Sequence, residues 1–143
     1  MLSRVARVIL VVTCVIGLSW ASVVANEAGA KEQVVIQVSD DNPKTWNQAL
    51  NVVRNIQRAY GKDNVDVEVV AFGHGIGMLK MDSVVGNRVD DAVKAGVQVN
   101  ACQNTMRGQK LAREDMLRSI GYVPAGVIEI VRKQRKGWAV LRP

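Results

Sequence analysis

Residues 34–72, VVIQVSDDNPKTWNQALNVVRNIQRAYGKDNVDVEVVAF, read as a complete strand–helix–strand unit. The first five (VVIQV) form a short apolar, β-branched run, the pattern of a buried strand. Ser39-Asp40-Asp41-Asn42-Pro43 supplies turn and helix-start chemistry. From 44 to 60 the apolar side chains Trp46, Ala49, Leu50, Val53, Ile56 and Tyr60 recur at spacings of three and four, so they share one face of an amphipathic helix. Gly61 stops that helix, and residues 62–64 turn the chain. Residues 65–72 begin in strict alternation and become wholly apolar, which predicts a second strand.

The same alternation continues outward. A glycine-rich segment, Gly73-His74-Gly75-Ile76-Gly77, leads toward a helix predicted between 83 and 95, with Val85, Val89, Ala92 and Val93 inward and Gly96 as its cap. Residues 97–101 (VQVNA) predict a third strand that runs directly into Cys102. Residues 104–117 read as helix in two pieces broken near Gly108, and 121–124 as a loop. The run GVIEIV within 125–136 suits a strand or a helix. Pro124 at a first helical position, the polar last turn 133–136 and Gly137 favour the helix. Residues 138–141 (WAVL) close the pattern as a strand. Strands alternating with helices predict an α/β fold: a compact three-layer sandwich with a mostly parallel sheet of four to five strands and helices on both faces. Trp46 and Trp138 fit core or subunit-contact positions in it.

The first residues stand apart. Arg4 and Arg7 precede an almost wholly apolar run at 8–18, and WASVVA at 20–25 offers small residues for cleavage. This is the layout of a secretory signal peptide, and the run is shorter than the ~20 apolar residues of a membrane span. The expected organisation is a signal peptide at 1–25 cleaved after Ala25, with the Ala28-x-Ala30 site as a second option, then a polar lead-in at 26–33 and one domain at 34–143. The expected destination is the periplasm or the exterior, with no stable membrane anchor after cleavage. Cys14 lies inside the apolar run behind Thr13, where a lipoprotein signal would place a small residue, so a lipidated cysteine is rejected.

Removing Arg4 and Arg7 from the 19 basic side chains leaves 17 against 13 acidic ones, a net charge near +4. With an export signal and few aromatic side chains for stacking, this mild excess argues against a nucleic-acid partner. One histidine and one mature cysteine also argue against a zinc site, and nothing calls for a cofactor.

Cys102 is the only cysteine outside the signal segment. A lone thiol in an oxidising compartment is either a buried small hydrophobe or a reactive group. Topology decides where it sits. Sites in such sheets form outside the carboxyl ends of the strands, and three segments arrive there: 39–42, 73–77 and 102–107. A helix starting near Asn104 or Thr105 would offer free N–H groups and its positive end to an anion, which favours a thiolate. Arg107 would add positive charge if turned inward. The stretch 73–77 has glycines that let amides approach an anion or a thiolate. It lacks the spacing of a dinucleotide fingerprint, so a tight turn without ligand remains open beside it. His74 is a possible proton shuttle for the thiol or a solvent-exposed loop residue. Four residues separate Cys102 from Arg107, one fewer than a phosphatase-type loop needs and equal to a rhodanese-type loop.

Four stretches in this order resemble the DsrE/DsrF-like family: VVIQVSDDNPKTWNQALNVVRN, VEVVAFGHGIGM, VNACQNTM, and VPAGVIEIVRKQRKGWAVLRP. The resemblance spans essentially the whole domain from Val34 to Pro143. It implies a compact α/β sandwich that assembles as a homo-oligomer, a trimer or hexamer, and a cysteine that accepts sulfane sulfur as a persulfide and passes it on. Cys102 falls at a cysteine position of the family, with Gly73, His74, Gly75, Ile76 and Gly77 as the flanking loop and Asn104 and Thr105 as supporting residues. Implied partners are a sulfur donor and acceptor thiol proteins or small thiols. The signal peptide departs from the cytoplasmic relay members, so their pathway does not transfer with the fold. Two alternatives remain open: an oligomeric binding or scaffold module with an inert Cys102, and a redox-sensing thiol.

Overall fold

The computed structural model describes Gly29 and residues 31–143; the expected signal peptide lies outside the described residues. Among the described residues, five strands form one sheet: β1 (Glu32–Val38), β2 (Val65–Ala71), β3 (Gln98–Cys102), β4 (Gly121–Val123) and β5 (Ala139–Leu141). Their order is β4-β3-β2-β1-β5, and every pairing is parallel. Four α-helices among the described residues accompany them: α1 (Pro43–Tyr60), α2 (Gly86–Lys94), α3 (Gln103–Gly108) and α4 (Gly126–Arg135). The expected α/β sandwich with helices on both faces is therefore the observed one.

The period-two alternation of strands divides the core. Val34, Ile36 and Val38 of β1, Val67, Val69 and Ala71 of β2, and Val99 and Ala101 of β3 point to the face covered by α1 and α2. Val35 and Val70 point to the other face, where Ile130 of α4 and Trp138 meet them. Glu68, Asn100 and Cys102 alternate onto this α4 side by the same register. One ten-residue helix therefore covers a face that carries a carboxylate, an amide and the thiol.

Local chemistry explains the element ends. Asn42 caps α1 by accepting the Lys44 N–H at 2.9 Å, with Pro43 at the first helical position. The Trp46 indole N–H donates to the Asp40 carbonyl at 2.7 Å and pins the β1–α1 loop at the sheet's carboxyl edge.

Several boundaries differ from expectation. Strand β1 begins at Glu32, inside the segment read as lead-in, because Glu32 and Gln33 pair with Val65 and Asp66. The glycine-rich stretch is not a tight turn: Gly73–Leu79 is a 3-10 helix that buries Ile76, Met78 and Leu79. Gly75 permits this, because a Cβ there would lie inside the van der Waals envelope of the Val38 carbonyl. Helix α2 starts at Gly86, after a turn in which the Gly86 N–H bonds to the Ser83 carbonyl. The segment read as a loop at 121–124 contains β4, three residues paired with Asn100, Ala101 and Cys102. Pro124 precedes α4 and is not its first residue; Ala125 occupies the N-cap position. The predicted second helical piece after Gly108 reduces to a 3-10 turn at Arg113–Asp115. Among the described residues, no helix is long and apolar enough to cross a membrane.

Candidate functional site

Cys102 is both the last residue of β3 and the N-cap of α3. Its Sγ accepts two backbone hydrogen bonds, from the Thr105 N–H at 3.4 Å and from the Gly126 N–H at 3.1 Å. The first is the N-cap bond of α3, the geometry usually made by Ser, Thr, Asp or Asn. The second comes from the opening residue of α4, so two helix starts converge on one sulfur. Free amides and the positive end of a helix favour a negative charge there. The residue is 4% exposed.

Burial and hydrogen bonding oppose each other at this thiol. Burial pushes its pKa up, but the Thr105 hydroxyl, then the amides of Gly126, Thr105 and Asn104, outweigh burial, and the net result lies below the ordinary cysteine value. Thr105 is oriented from its far side, because its Oγ1 accepts the Gly73 N–H at 3.0 Å. That bond uses the oxygen as acceptor and leaves the hydroxyl proton free to lower the thiol's pKa.

Gly126 has a steric reason to be glycine. A Cβ there would lie 3.0 Å from the Phe72 Cβ, 3.2 Å from the Val70 Cγ1 and 3.3 Å from the Cys102 Cβ. Without a side chain, the first turn of α4 settles onto the sheet and brings its amide to the sulfur. The Asn104 N–H donates to the Pro124 carbonyl at 3.1 Å, which ties the start of α3 to the loop before α4.

The other residues singled out in the sequence divide into those near the sulfur and those that are not. Thr105 touches it, and Gly73 acts through Thr105; the Gly73 carbonyl also accepts from the Gln109 side chain at 3.0 Å. Arg107 is exposed and donates to the Asn104 Oδ1 at 3.1 Å, and no hydrogen bond joins it to the thiol among the described residues. His74 is exposed and lines a separate surface cavity of about 380 Å³ with Asp41, Trp46 and Lys80. No hydrogen bond joins it to Cys102 among the described residues. Ile76 is buried in the core, and Gly77 faces the Trp46 ring. The residue that sequence reasoning missed is Gly126. Its only local signal was a glycine opening a helical run after Pro124, and without β4 nothing placed that run beside Cys102. Among the described residues, no three His, Cys, Asp or Glu side chains gather as a metal-ligating cluster.

Together these features define a small parallel α/β protein with a buried, amide-cradled thiol at the carboxyl edge of its sheet. Over residues 32–143 the chain matches the DsrE/DsrF-like family, and it belongs to that family. It is similar to the solved structure of MTH1491 from Methanobacterium thermoautotrophicum, a protein of unknown function. That match is 33% identical, covers 79% of this chain and 100% of the other, and has a TM-score of 0.76. BT1422 from Bacteroides thetaiotaomicron shares the fold at 18% identity, with 78% and 95% of the two chains covered and a TM-score of 0.65. The YchN protein of E. coli shares it at 10% identity, 79% and 99% coverage and a TM-score of 0.64. None of the functionally curated proteins matches the chain.

Proposed function

We propose that this protein is an exported sulfur carrier that holds sulfane sulfur as a persulfide on Cys102. The observation that carries the reading is the pair of backbone amides, from α3 and α4, donated to one sulfur. Both the attacking and the leaving form of the cysteine in thiol exchange are thiolates, and amide donors stabilise both. In loading, the Cys102 thiolate attacks the outer sulfur of a persulfide or polysulfide donor. The new S–S bond forms as the donor's S–S bond breaks, and the donor leaves as a thiolate. In unloading, an acceptor thiolate attacks the outer sulfur and Cys102 leaves as the thiolate. Membership of the DsrE/DsrF-like family supports a role related to sulfur relay.

The test is intact-protein mass spectrometry after incubation with polysulfide. The expected result is the mass of added sulfur on the wild type, removed by a small thiol and absent in Cys102→Ser. An unchanged mass, at reagent levels that load a control carrier, refutes the reading. Export belongs to the same proposal and predicts a mature amino terminus at Asn26 in a periplasmic or secreted fraction. Assembly into a trimer or hexamer of identical chains does too. The apolar Val127, Ile128 and Val131, exposed on α4, support assembly, and light scattering on the purified protein tests it.

The deep burial of Cys102 favours a second reading, a binding or scaffold module with an inert cysteine. A thiol that reacts with an alkylating reagent only after denaturation would establish that reading in place of the first.

A further inference from the structure

The α4 face of the sheet carries a buried ionic cluster that the thiol chemistry leaves unexplained. Glu68 sits on the central strand β2 and is 1% exposed. Its Oε1 accepts from the Asn100 side chain at 2.8 Å. Its Oε2 forms an ion pair with the Lys133 Nζ at 2.5 Å. The same Nζ is 3.9 Å from the Glu129 Oε1 and 3.9 Å above the Trp138 ring. A carboxylate placed this deep is strongly unfavourable unless paired.

Helical spacing connects this cluster to the site. Gly126 and Lys133 are seven residues apart, so they lie on one stripe of α4 about 10 Å apart along the axis. The stripe faces the sheet and holds the Gly126 amide on the Cys102 sulfur at one end and the Lys133 ammonium on Glu68 at the other. Between them Ile130 is the one buried aliphatic side chain of the helix, while Val127, Ile128 and Val131 point outward. No side-chain cap fastens the helix start at Ala125. Ile130 packs this helix against Val35, Val70, Val123 and Trp138, and the ion pair adds the one charged contact that ties α4 to the central strand.

We propose that Glu68 and Lys133 are positioning residues for Cys102: their buried ion pair seats α4 so that the Gly126 amide rests on the sulfur and the helix closes over the thiol. Breaking the pair frees the helix start, removes one amide from the sulfur and opens the thiol to reagents. Two effects of opposite kind follow. The thiolate loses stabilisation, and access improves. This inference rests on the reading of Cys102 as a working thiol, and it deepens that reading by naming what controls it.

The experiment measures the rate of Cys102 alkylation as a function of pH on the folded full-length protein, using a small iodoacetamide and a bulky maleimide. In Lys133→Met the inflection should move up toward that of a free cysteine. The high-pH limiting rate with the maleimide should rise about tenfold, corresponding to ~1.4 kcal/mol of lost seating. The double variant Glu68→Met/Lys133→Met replaces the pair with apolar side chains and should restore both values toward wild type. If Lys133→Met does not fold, Glu68→Gln, which keeps the Asn100 hydrogen bond, is read in the same way. A contribution to global stability alone would lower the unfolding midpoint without moving the native inflection. A folded variant with wild-type inflection and wild-type maleimide rate overturns the inference. Polysulfide loading is not the readout. A shifted inflection without sulfur loading would remove the proposed function and leave the positioning role, and loading with an unshifted inflection would do the reverse.

Discussion

Replacing Gly126 by Ala sets two physical effects against each other. Helix propensity favours alanine over glycine by about 1 kcal/mol in a helix interior, and by less at a first position. Packing opposes it. The added Cβ would meet the Phe72 Cβ at 3.0 Å, the Val70 Cγ1 at 3.2 Å and the Cys102 Cβ at 3.3 Å, all closer than ordinary carbon contacts. Val70 is fully buried on the central strand, so the sheet has little room to yield. The helix start must lift by a few tenths of an ångström, and overpacking of this kind costs about 1–3 kcal/mol. The Gly126 N–H to Sγ contact then lengthens from 3.1 Å. A hydrogen bond to a charged group is worth about 1.5–3 kcal/mol. Losing half of it removes about 1 kcal/mol of preference for the thiolate, which raises the thiol inflection by about 0.7 of a pH unit. Urea denaturation measures the first effect and the pH profile of iodoacetamide alkylation the second. A Gly126→Ala protein that is more stable than wild type and keeps its alkylation inflection would refute the close-approach argument.

Other expectations follow from the same geometry. Thr105→Val removes the hydroxyl that faces the sulfur and leaves the Gly73 N–H without its acceptor; the alkylation inflection should rise and stability should fall by about 1 kcal/mol. Arg107→Gln should leave the inflection where it is, because the guanidinium is exposed and bonded to Asn104; a clear upward shift would show that its charge reaches the thiol. Stability should also depend on pH through Cys102. Its folded-state pKa is lowered, so its contribution is complete above the unfolded-chain value of about 8.5 and is lost as pH falls through the folded value. The unfolding free energy of wild type relative to Cys102→Ala should therefore rise with pH across that window, and a flat or falling difference in urea titrations would contradict it.

Much of this fold was legible because strand and helix periods differ. The runs at 34–38 and 65–72 and the helical spacing of Trp46, Leu50 and Val53 became β1, β2 and α1 with small changes at the ends. Strand β4 was not legible. Gly121, Tyr122 and Val123 are too few to show a period, and pairing with β3 alone makes them a strand. The candidate site shared that fate in part. Cys102 and the helix start after it follow from local sequence, since both sit within a few residues. Gly126 lies 24 residues further on, and its amide reaches the sulfur only because β4 delivers the chain to the neighbouring sheet position. The polar cluster beneath α4 was hidden for a related reason. Nothing local pairs Glu68 with Lys133, which lies 65 residues further on; only the packing of α4 on the sheet brings them together.

The burial of Cys102 and its lowered pKa look contradictory, because desolvation by itself disfavours a thiolate. They are reconciled by which groups bury it. The Gly126 backbone that covers the sulfur also donates to it, and the Thr105 amide and hydroxyl do the same from the α3 side. At the α4 start, access and charge at this thiol are thus coupled, because the backbone that covers the sulfur also donates to it. On the proposed reading, a donor large enough to displace α4 would meet a less stabilised thiolate, whereas a short polysulfide needs less opening and meets a more stabilised one. Loading should therefore favour small inorganic polysulfides over protein persulfides in the wild type, and that preference should narrow in Lys133→Met. Competition between the two donors, read by the mass of sulfur transferred, measures it. Equal preference in both proteins would separate access from charge and break the argument.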